Sequence, residues 1–80
     1  MIRLAITNRG TKGWRLNWKY HRANGPARVW TDGHTEWFKN GQLHRTDGPA
    51  IIDLNGCGEY WMYGKQVSEY EMMFISVPND

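Results

Sequence analysis

The stretch HRTDGPA at residues 44–50 has a near copy upstream, HRANGPA at residues 21–27, and the two copies lie 23 residues apart. The same step relates positions well beyond the two copies. The positions it relates include Gly10, Gly33 and Gly56, and also Trp14, Trp37 and Tyr60. A fixed period in this range predicts an architecture of stacked structural units rather than an accident of composition.

Each unit contains the signals of a β-hairpin. The segments TDGHTEWF (31–38) and LNGCGEYW (54–61) place Asp-Gly and Asn-Gly between β-favouring residues. These dipeptides accept the positive φ angles of a tight hairpin turn. FKNG (38–41) and MYGK (62–65) indicate a second turn, and NGP or DGP then predicts a bend before the next strand. The His-Arg pair falls in this return segment.

The predicted fold is therefore mainly β, an antiparallel β-hairpin repeat array with a 23-residue period, in a single domain over residues 1–80. We expect the sheet over about residues 2–67. The six predicted strands span about 2–7, 13–18, 26–31, 35–39, 49–54 and 58–62.

Strand alternation predicts two different faces for this sheet. One face is the expected core, with the aromatic residues Trp14, Trp37 and Tyr60 buried side by side. The other expected core residues are Leu4, Ile6, Leu16, Ala27, Val29, Ala50, Ile52, Leu54 and Met62. The opposite, outer face carries Arg3, Arg15, Arg28, Trp30, Phe38, Ile51, Asp53 and Trp61. It is too aromatic for an ordinary solvated face.

The third unit departs from the repeat after YGKQV. Ser68 with Glu71 three residues later is a capping-box signature. Tyr70, Met73 and Phe74 then recur at helical spacing, which predicts a short helix over about 69–75 that covers the end of the sheet. Repeat arrays need such atypical ends to hide the last hydrophobic face. The final VPND is predicted to be a frayed tail.

Composition sets broad limits. The chain has 80 residues, a formal net charge of +2 and one cysteine, Cys57, so no disulfide can form within it. A reducing, cytoplasmic setting is expected, with no signal peptide and no membrane span. The mildly basic charge permits an anionic ligand without requiring one.

The repeats resemble those of a family of small proteins built from W-Y-x-N-G-x-x-H-R-x-D-G-P-A units, distantly similar to MORN repeats. The matching segments are EWFKNGQLHRTDGPAII (36–52), LNWKYHRANGPARV (16–29) and EYWMYGKQVSEYE (59–71). The resemblance covers roughly residues 13–72. In the first unit Trp18 replaces the turn glycine and Asn24 replaces the aspartate, so a wider turn is expected there. The resemblance implies a β-hairpin array encoded by a phage or mobile element, and it implies no reaction.

The His-Arg loops allow two interpretations. His21, Arg22, His44 and Arg45 could form a duplicated anion site, helped by loop N–H groups. Alternatively, Asn24 and Asp47 hold their own loop while the His and Arg side chains brace neighbouring turns. The repetition of these residues favours the second interpretation.

Catalysis and metal binding find less support. A histidine pair can act as general acid and base, but His21 and His44 occupy equivalent positions about two strand spacings apart, roughly 10 Å. A small nuclease-like enzyme that uses the His-Arg loops is therefore only an alternative. Cys57 and three scattered histidines have no metal-ligand spacing, and no cofactor is expected.

The outer face is the stronger candidate. Its expected binding residues are Arg15, Arg28, Trp30, Phe38 and Trp61. Trp and Arg dominate protein interfaces, and aromatic rings also stack on bases. We expect a non-catalytic binding protein, a phage-encoded inhibitor that engages a host or anti-phage defence protein in the host cytoplasm. The alternative is sequestration of a small anionic ligand such as a signalling nucleotide. The same face could instead pack against a second copy as a homo-oligomer.

Overall fold

The computed structural model describes residues 2–7 and 9–75, with side chains up to Met72. Met1, Asn8 and residues 76–80, which include the predicted tail, lie outside the described residues. The described chain is mainly antiparallel β structure with one short helix at its C-terminal end, as predicted. No helix of this described part is long and apolar enough to cross a membrane.

The described residues form ten strands rather than the six predicted. They are β1 (Ile2–Ile6), β2 (Lys12–Leu16), β3 (Lys19–Tyr20), β4 (Arg28–Val29), β5 (Thr35–Glu36), β6 (Phe38–Lys39), β7 (Gln42–Leu43), β8 (Ile51–Ile52), β9 (Gly58–Met62) and β10 (Lys65–Val67). The count is higher for two reasons. The predicted strand at 35–39 is divided at Trp37, and the segments after the second turn of each unit pair as strands β3, β7 and β10.

All strand pairs are antiparallel and follow one another in chain order. The main sheet runs β1-β2-β4-β5-β8-β9-β10, with β3 paired to β2, while β6 and β7 form a separate two-stranded sheet. Strands β2, β5 and β9 begin at Lys12, Thr35 and Gly58, which are 23 residues apart. The spacing seen in the sequence is therefore also the spacing of these strands.

Three tight turns connect the hairpins β2–β3, β6–β7 and β9–β10. Both central residues have positive φ in each case: 51° and 70° at Asn17 and Trp18, 51° and 84° at Asn40 and Gly41, and 48° and 84° at Tyr63 and Gly64. Two positive φ angles are the mark of a type I′ turn, which matches the twist of paired strands. The prediction of a wider turn at Trp18 is wrong, because Trp18 adopts the conformation that glycine adopts in the other two turns.

The second set of turns contains the expected Asp-Gly and Asn-Gly dipeptides. Gly33 and Gly56 have φ values of 101° and 81°, as the sequence predicted. The Asp32 carboxylate accepts the His34 N–H at 2.9 Å, and the Asp53 carboxylate accepts the Cys57 N–H at 2.9 Å. These side chains hold the turns by the local hydrogen bonding that favours aspartate in loops.

The two tryptophans of the predicted core face alternate with small residues across the sheet. The Trp14 N–H donates to the Ala27 carbonyl at 2.7 Å, and the Trp37 N–H donates to the Ala50 carbonyl at 2.6 Å. Ala27 and Ala50 are completely buried. Trp14, Trp37 and Tyr60 are half-buried rather than buried as predicted. No large side chain among the described residues is fully buried, and half-buried arginines cover Trp14 and Trp37, so these rings retain some contact with solvent.

Three residues predicted for the core are exposed instead. Leu4, Ile6 and Leu54 have 50%, 61% and 61% of their surface accessible. Leu4 and Ile6 lie on β1, the edge strand of the sheet, which has a neighbour on one side only. Leu54 lies in the turn between β8 and β9, beyond the end of the strand. Leu4 lies opposite Trp14 in the strand register, but alternation could not show that the sheet ends there.

The terminal helix α1 spans Glu69–Ile75, as the capping box predicted. The Glu71 N–H donates to the Ser68 hydroxyl at 3.0 Å, and the Ser68 N–H donates to the Glu71 carboxylate at 3.1 Å. Met72 faces the sheet and is 9% exposed. Tyr70, which was predicted to cover the sheet, is 69% exposed and faces outward.

Candidate functional site

Arg28 is the centre of a cluster of side chains on the outer face. Its Nε donates to the Glu36 carboxylate at 2.6 Å. The guanidinium carbon lies 4.8 Å from the centre of the Trp30 ring, 4.9 Å from that of Tyr20 and 5.7 Å from that of Phe38. We call Tyr20, Arg28, Trp30, Glu36 and Phe38 the outer-face cluster. Its contacts combine an ion pair with cation–π packing.

The sheet register brings this cluster together. Gly13 on β2 lies opposite Arg28 on β4, which lies opposite Glu36 on β5. The Tyr20 ring from β3 lies over Gly13, where an added Cβ would come within 2.8 Å of the ring. Glycine is therefore required at position 13 for the ring to reach Arg28.

The charged and polar groups of the cluster are paired with one another. Burial acts to lower the pKa of Arg28, but its hydrogen bonds to Glu36 and Tyr20 outweigh this and raise it. Hydrogen bonds from Arg28 and then Arg15 lower the pKa of the Tyr20 hydroxyl. Glu36 also accepts the Trp30 indole N–H at 2.8 Å. The rings are thus held in place by contacts within the cluster.

Four of the five predicted binding residues meet at or beside this cluster. Arg15 donates to the Tyr20 hydroxyl at 3.3 Å, which joins it to Arg28, Trp30 and Phe38. Trp61 lies elsewhere, on β9, where its indole N–H donates to Glu59 at 3.2 Å. Strand β8 lies between β5 and β9. Its apolar residue Ile51 pairs across the strands with Glu36 on one side and with Glu59 on the other.

Sequence reasoning missed Tyr20 and Glu36, which hold the cluster together. Tyr20 lies outside the six predicted strands, so strand alternation does not place its side chain on a face. Glu36 could have been found, because Glu59 stands 23 residues later and each of the two precedes an aromatic residue, Trp37 or Tyr60. The signal was a repeated carboxylate beside an aromatic residue.

Trp18 was also missed as a surface residue. It is 91% exposed, and its φ of 70° lies in the left-handed region that favours glycine. It lines a cleft of about 450 Å³ together with Arg3, Leu4 and Arg15. Arg3 and Arg15 lie opposite each other on β1 and β2, so the cleft is basic as well as aromatic.

A second cleft opens on the other side of the cluster. It has a volume of about 390 Å³ and is lined by Arg9, Tyr20, Arg28 and Trp30 with two threonines. Arg9 makes no hydrogen bond or ion pair within the described part of the chain. The outer face therefore offers aromatic and cationic groups on both sides of Tyr20.

The His-Arg loops, residues 21–27 and 44–50, brace the turns of the β6–β7 and β9–β10 hairpins. The Asn40 N–H donates to His21 Nδ1 at 3.0 Å, and the Tyr63 N–H donates to His44 Nδ1 at 3.0 Å. The backbone N–H of Arg22 donates to Phe38 and that of Arg45 to Trp61, each at 3.2 Å. The same contacts therefore recur 23 residues later in the chain.

The two arginines of these loops stack on core tryptophans. The guanidinium carbon of Arg22 lies 3.9 Å from the centre of the Trp14 ring, and that of Arg45 lies 3.9 Å from that of Trp37. Arg45 also donates to the Asp47 carboxylate at 2.8 Å, a bond that lowers the pKa of Asp47. Both arginines thus cover an aromatic ring that is otherwise open to solvent.

A groove of about 530 Å³ lies between the two loops. It brings together the four residues of the predicted anion site, His21, Arg22, His44 and Arg45, with Lys39 between them. Both histidine Nδ1 atoms accept backbone N–H groups, and His44 is only 4% exposed. The Nδ1 atoms of both histidines are therefore engaged in holding the neighbouring turns.

The described residues contain no group of three His, Cys, Asp or Glu side chains placed to hold a metal ion. Comparison with family models, curated proteins and solved structures finds no match to this chain.

Proposed function

We propose that this chain is a non-catalytic binding protein that engages another protein through one strip of its outer face. The strip runs from Trp18 through Arg15, Tyr20 and Arg28 to Trp30, and we call it the binding strip. Tryptophan, tyrosine and arginine are the residues that most often dominate protein interfaces. Because Glu36 already holds Arg28 and Trp30 in place, little conformational entropy is lost on binding.

Trp18 is the observation that carries this proposal. A side chain at positive φ costs about 1 kcal/mol or more relative to glycine. The equivalent positions in the other two turns are Gly41 and Gly64. Trp18 is 91% exposed, so its side chain contributes almost no buried surface to the stability of the fold. Strained residues that the fold does not need cluster at functional sites.

We further propose that the chain is a three-unit hairpin array of the MORN-like kind, and that it is phage-encoded. Its partner would then be a host or anti-phage defence protein in the host cytoplasm, which it inhibits. The 23-residue spacing of strands β2, β5 and β9 supports the array. The partner assignment rests on the resemblance to phage repeat proteins.

The test is co-purification of the tagged chain after expression in a bacterial host, with partner recovery compared between variants. Trp18→Gly should reduce recovery of a stoichiometric partner at least tenfold. The same variant should raise the free energy of unfolding by about 0.5–1 kcal/mol, because it relieves the positive-φ strain. A variant that binds less but is more stable cannot have lost binding through damage to the fold.

Leu54→Ala is the matched control, because Leu54 is also an exposed apolar turn residue, at 61%, but lies off the strip. It should leave recovery unchanged. Equal recovery with wild type and Trp18→Gly would refute the binding strip. Recovery of the chain as a homo-oligomer alone, with Trp18 protected, would show that the strip joins two copies.

A second candidate function is sequestration of a small anionic ligand. The groove that gathers Arg22, Lys39 and Arg45 between the His-Arg loops favours it. Native mass spectrometry of the purified chain would distinguish the candidates, since a bound nucleotide and a bound protein add very different masses. Rising salt should release the nucleotide steeply and a tryptophan-centred interface only weakly.

A further inference from the structure

The two His-Arg loops differ at one position that changes the charge around the arginine. In the second loop, Arg45 Nε donates to Asp47 at 2.8 Å and Arg45 Nη1 donates to the Pro49 carbonyl at 3.1 Å. In the first loop, Arg22 Nη1 donates to the Pro26 carbonyl at 3.3 Å, and residue 24 is Asn. No carboxylate within the described part of the chain pairs with Arg22.

Both arginines are nevertheless held in the same pose. Each guanidinium carbon lies 3.9 Å from the centre of a tryptophan ring, Trp14 or Trp37. On the other side the chain passes close by, because a Cβ at Gly25 would lie 3.0 Å from the Arg22 guanidinium carbon, and one at Gly48 would lie 2.9 Å from that of Arg45. The Nε edge of Arg22 is therefore fixed, as it is in Arg45.

We propose that Arg22 forms an oxyanion site for the phosphate group of a small phosphate-bearing molecule. Asp47 marks the position of the bound oxygen, because its carboxylate occupies the corresponding place beside Arg45. A guanidinium held rigidly before binding loses little freedom when it pairs with a phosphate. Arg45 thus pairs with a carboxylate of its own loop, whereas Arg22 pairs with the phosphate of a ligand.

The surroundings of Arg22 suit a phosphate. The groove between the loops is lined by three cations, Arg22, Lys39 and Arg45, and one carboxylate, Asp47, which leaves a formal charge of +2. Its volume of about 530 Å³ exceeds the size of a bare ion, and Trp37 and Phe38 line it. The groove is therefore large enough for a phosphate joined to a larger group, as in a nucleoside monophosphate.

This site goes beyond the protein-binding proposal, because Arg22 and Asn24 lie outside the binding strip. It would supply the contact residue for the small-anion candidate. The two proposals fail separately: Trp18→Gly tests the strip, and changes at position 24 test the site.

The experiment is an NMR titration of the isotope-labelled chain with inorganic phosphate, which follows the Nε–H signals of Arg22 and Arg45. Wild type should show a saturable shift at Arg22 and none at Arg45. Asn24→Asp should weaken phosphate binding at least tenfold, because an internal carboxylate then occupies the site. Asp47→Asn should produce a second saturable shift, at Arg45.

Asn24→Ala is the matched control, since it changes the side chain without adding a charge, and it should keep the Arg22 shift. Equal shifts at both arginines in wild type, or unchanged binding in Asn24→Asp with a native backbone spectrum, would overturn the proposal. Response to a carboxylate probe but not to phosphate would also overturn it.

Discussion

At the scale of single residues, one substitution between equivalent positions changes the electrostatics of a loop. Asn24 and Asp47 stand 23 residues apart in otherwise similar loops, yet only Asp47 forms an ion pair with its neighbouring arginine. The hydrogen bond from Arg45 lowers the pKa of Asp47 below its ordinary value of 3.8. A carboxylate whose pKa is lowered in the folded state stabilises that state in its charged form.

This shift predicts an acid-sensitive contribution to stability. The contribution is complete above the ordinary value of 3.8 and is lost as pH falls through the lower folded-state pKa. Because the Asp47 side chain is 74% exposed, solvent limits it to about 1 kcal/mol or less. Urea unfolding of Asp47→Asn should show this loss at pH 7, and the difference from wild type should shrink as the pH falls below 3.8.

Asn24→Asp should have the opposite effect, since it adds a second arginine–carboxylate pair. Its stability should therefore fall more steeply than that of wild type below the ordinary aspartate pKa. A difference between Asp47→Asn and wild type that stays constant with pH would mean that the carboxylate acts through shape rather than charge.

At the scale of elements, each His-Arg loop holds the next hairpin in place. The Gly41 N–H donates to the Tyr20 carbonyl and the Gly64 N–H donates to the Leu43 carbonyl, both at 2.8 Å. The histidine Nδ1 bonds lie beside these contacts. The same hydrogen bonds thus join consecutive hairpins. In each case the donor is a backbone N–H of a turn whose central residues have positive φ.

The two histidine braces should differ in strength. His44 is 4% exposed and its ring centre lies 4.0 Å from that of Tyr63, whereas His21 is half-buried. His44→Ala should cost about 2–3 kcal/mol, because it removes packing and leaves the Tyr63 N–H without its acceptor. His21→Ala should cost about 1 kcal/mol.

Urea unfolding of the two variants measures this difference directly. His21→Ala is the control for His44→Ala, since both remove the same bond to a backbone N–H in equivalent turns. Equal losses of stability would show that burial of His44 adds nothing to its hydrogen bond.

At the scale of the whole molecule, stability comes from neighbouring strands rather than from a deep core. No large side chain among the described residues is fully buried. The hydrophobic residues with no exposed surface are the small Ala27 and Ala50. The sheet follows chain order, so each strand contacts those close to it in sequence. Such structures open locally at their ends before they unfold in the middle.

Amide hydrogen exchange should therefore vary along the sheet. The amides of β1, whose five residues are all exposed, should exchange at least tenfold faster than the Trp37 N–H. The Trp37 N–H donates to Ala50 at 2.6 Å in the middle of the sheet. Uniform protection of all strand amides would instead show a single cooperative unit with no fraying edge.

Local signals in the sequence were sufficient for much of the fold. The antiparallel class, the Asp-Gly and Asn-Gly turns and the helix after Ser68 were predicted, because each depends on a few adjacent residues and their backbone preferences. These features follow from dihedral angles and local hydrogen bonds, which the sequence determines by itself.

The candidate site depended on contacts between distant segments. Trp18 could be recognised as strained and exposed only after its turn was seen to match those at Gly41 and Gly64. Tyr20 reaches Arg28 only because β3 pairs with β2 and Gly13 leaves room for the ring. The exposure of Leu4 and Ile6 required knowing which strand forms the edge. Burial and side-chain partners arise from packing between strands, so the tertiary structure alone decided them.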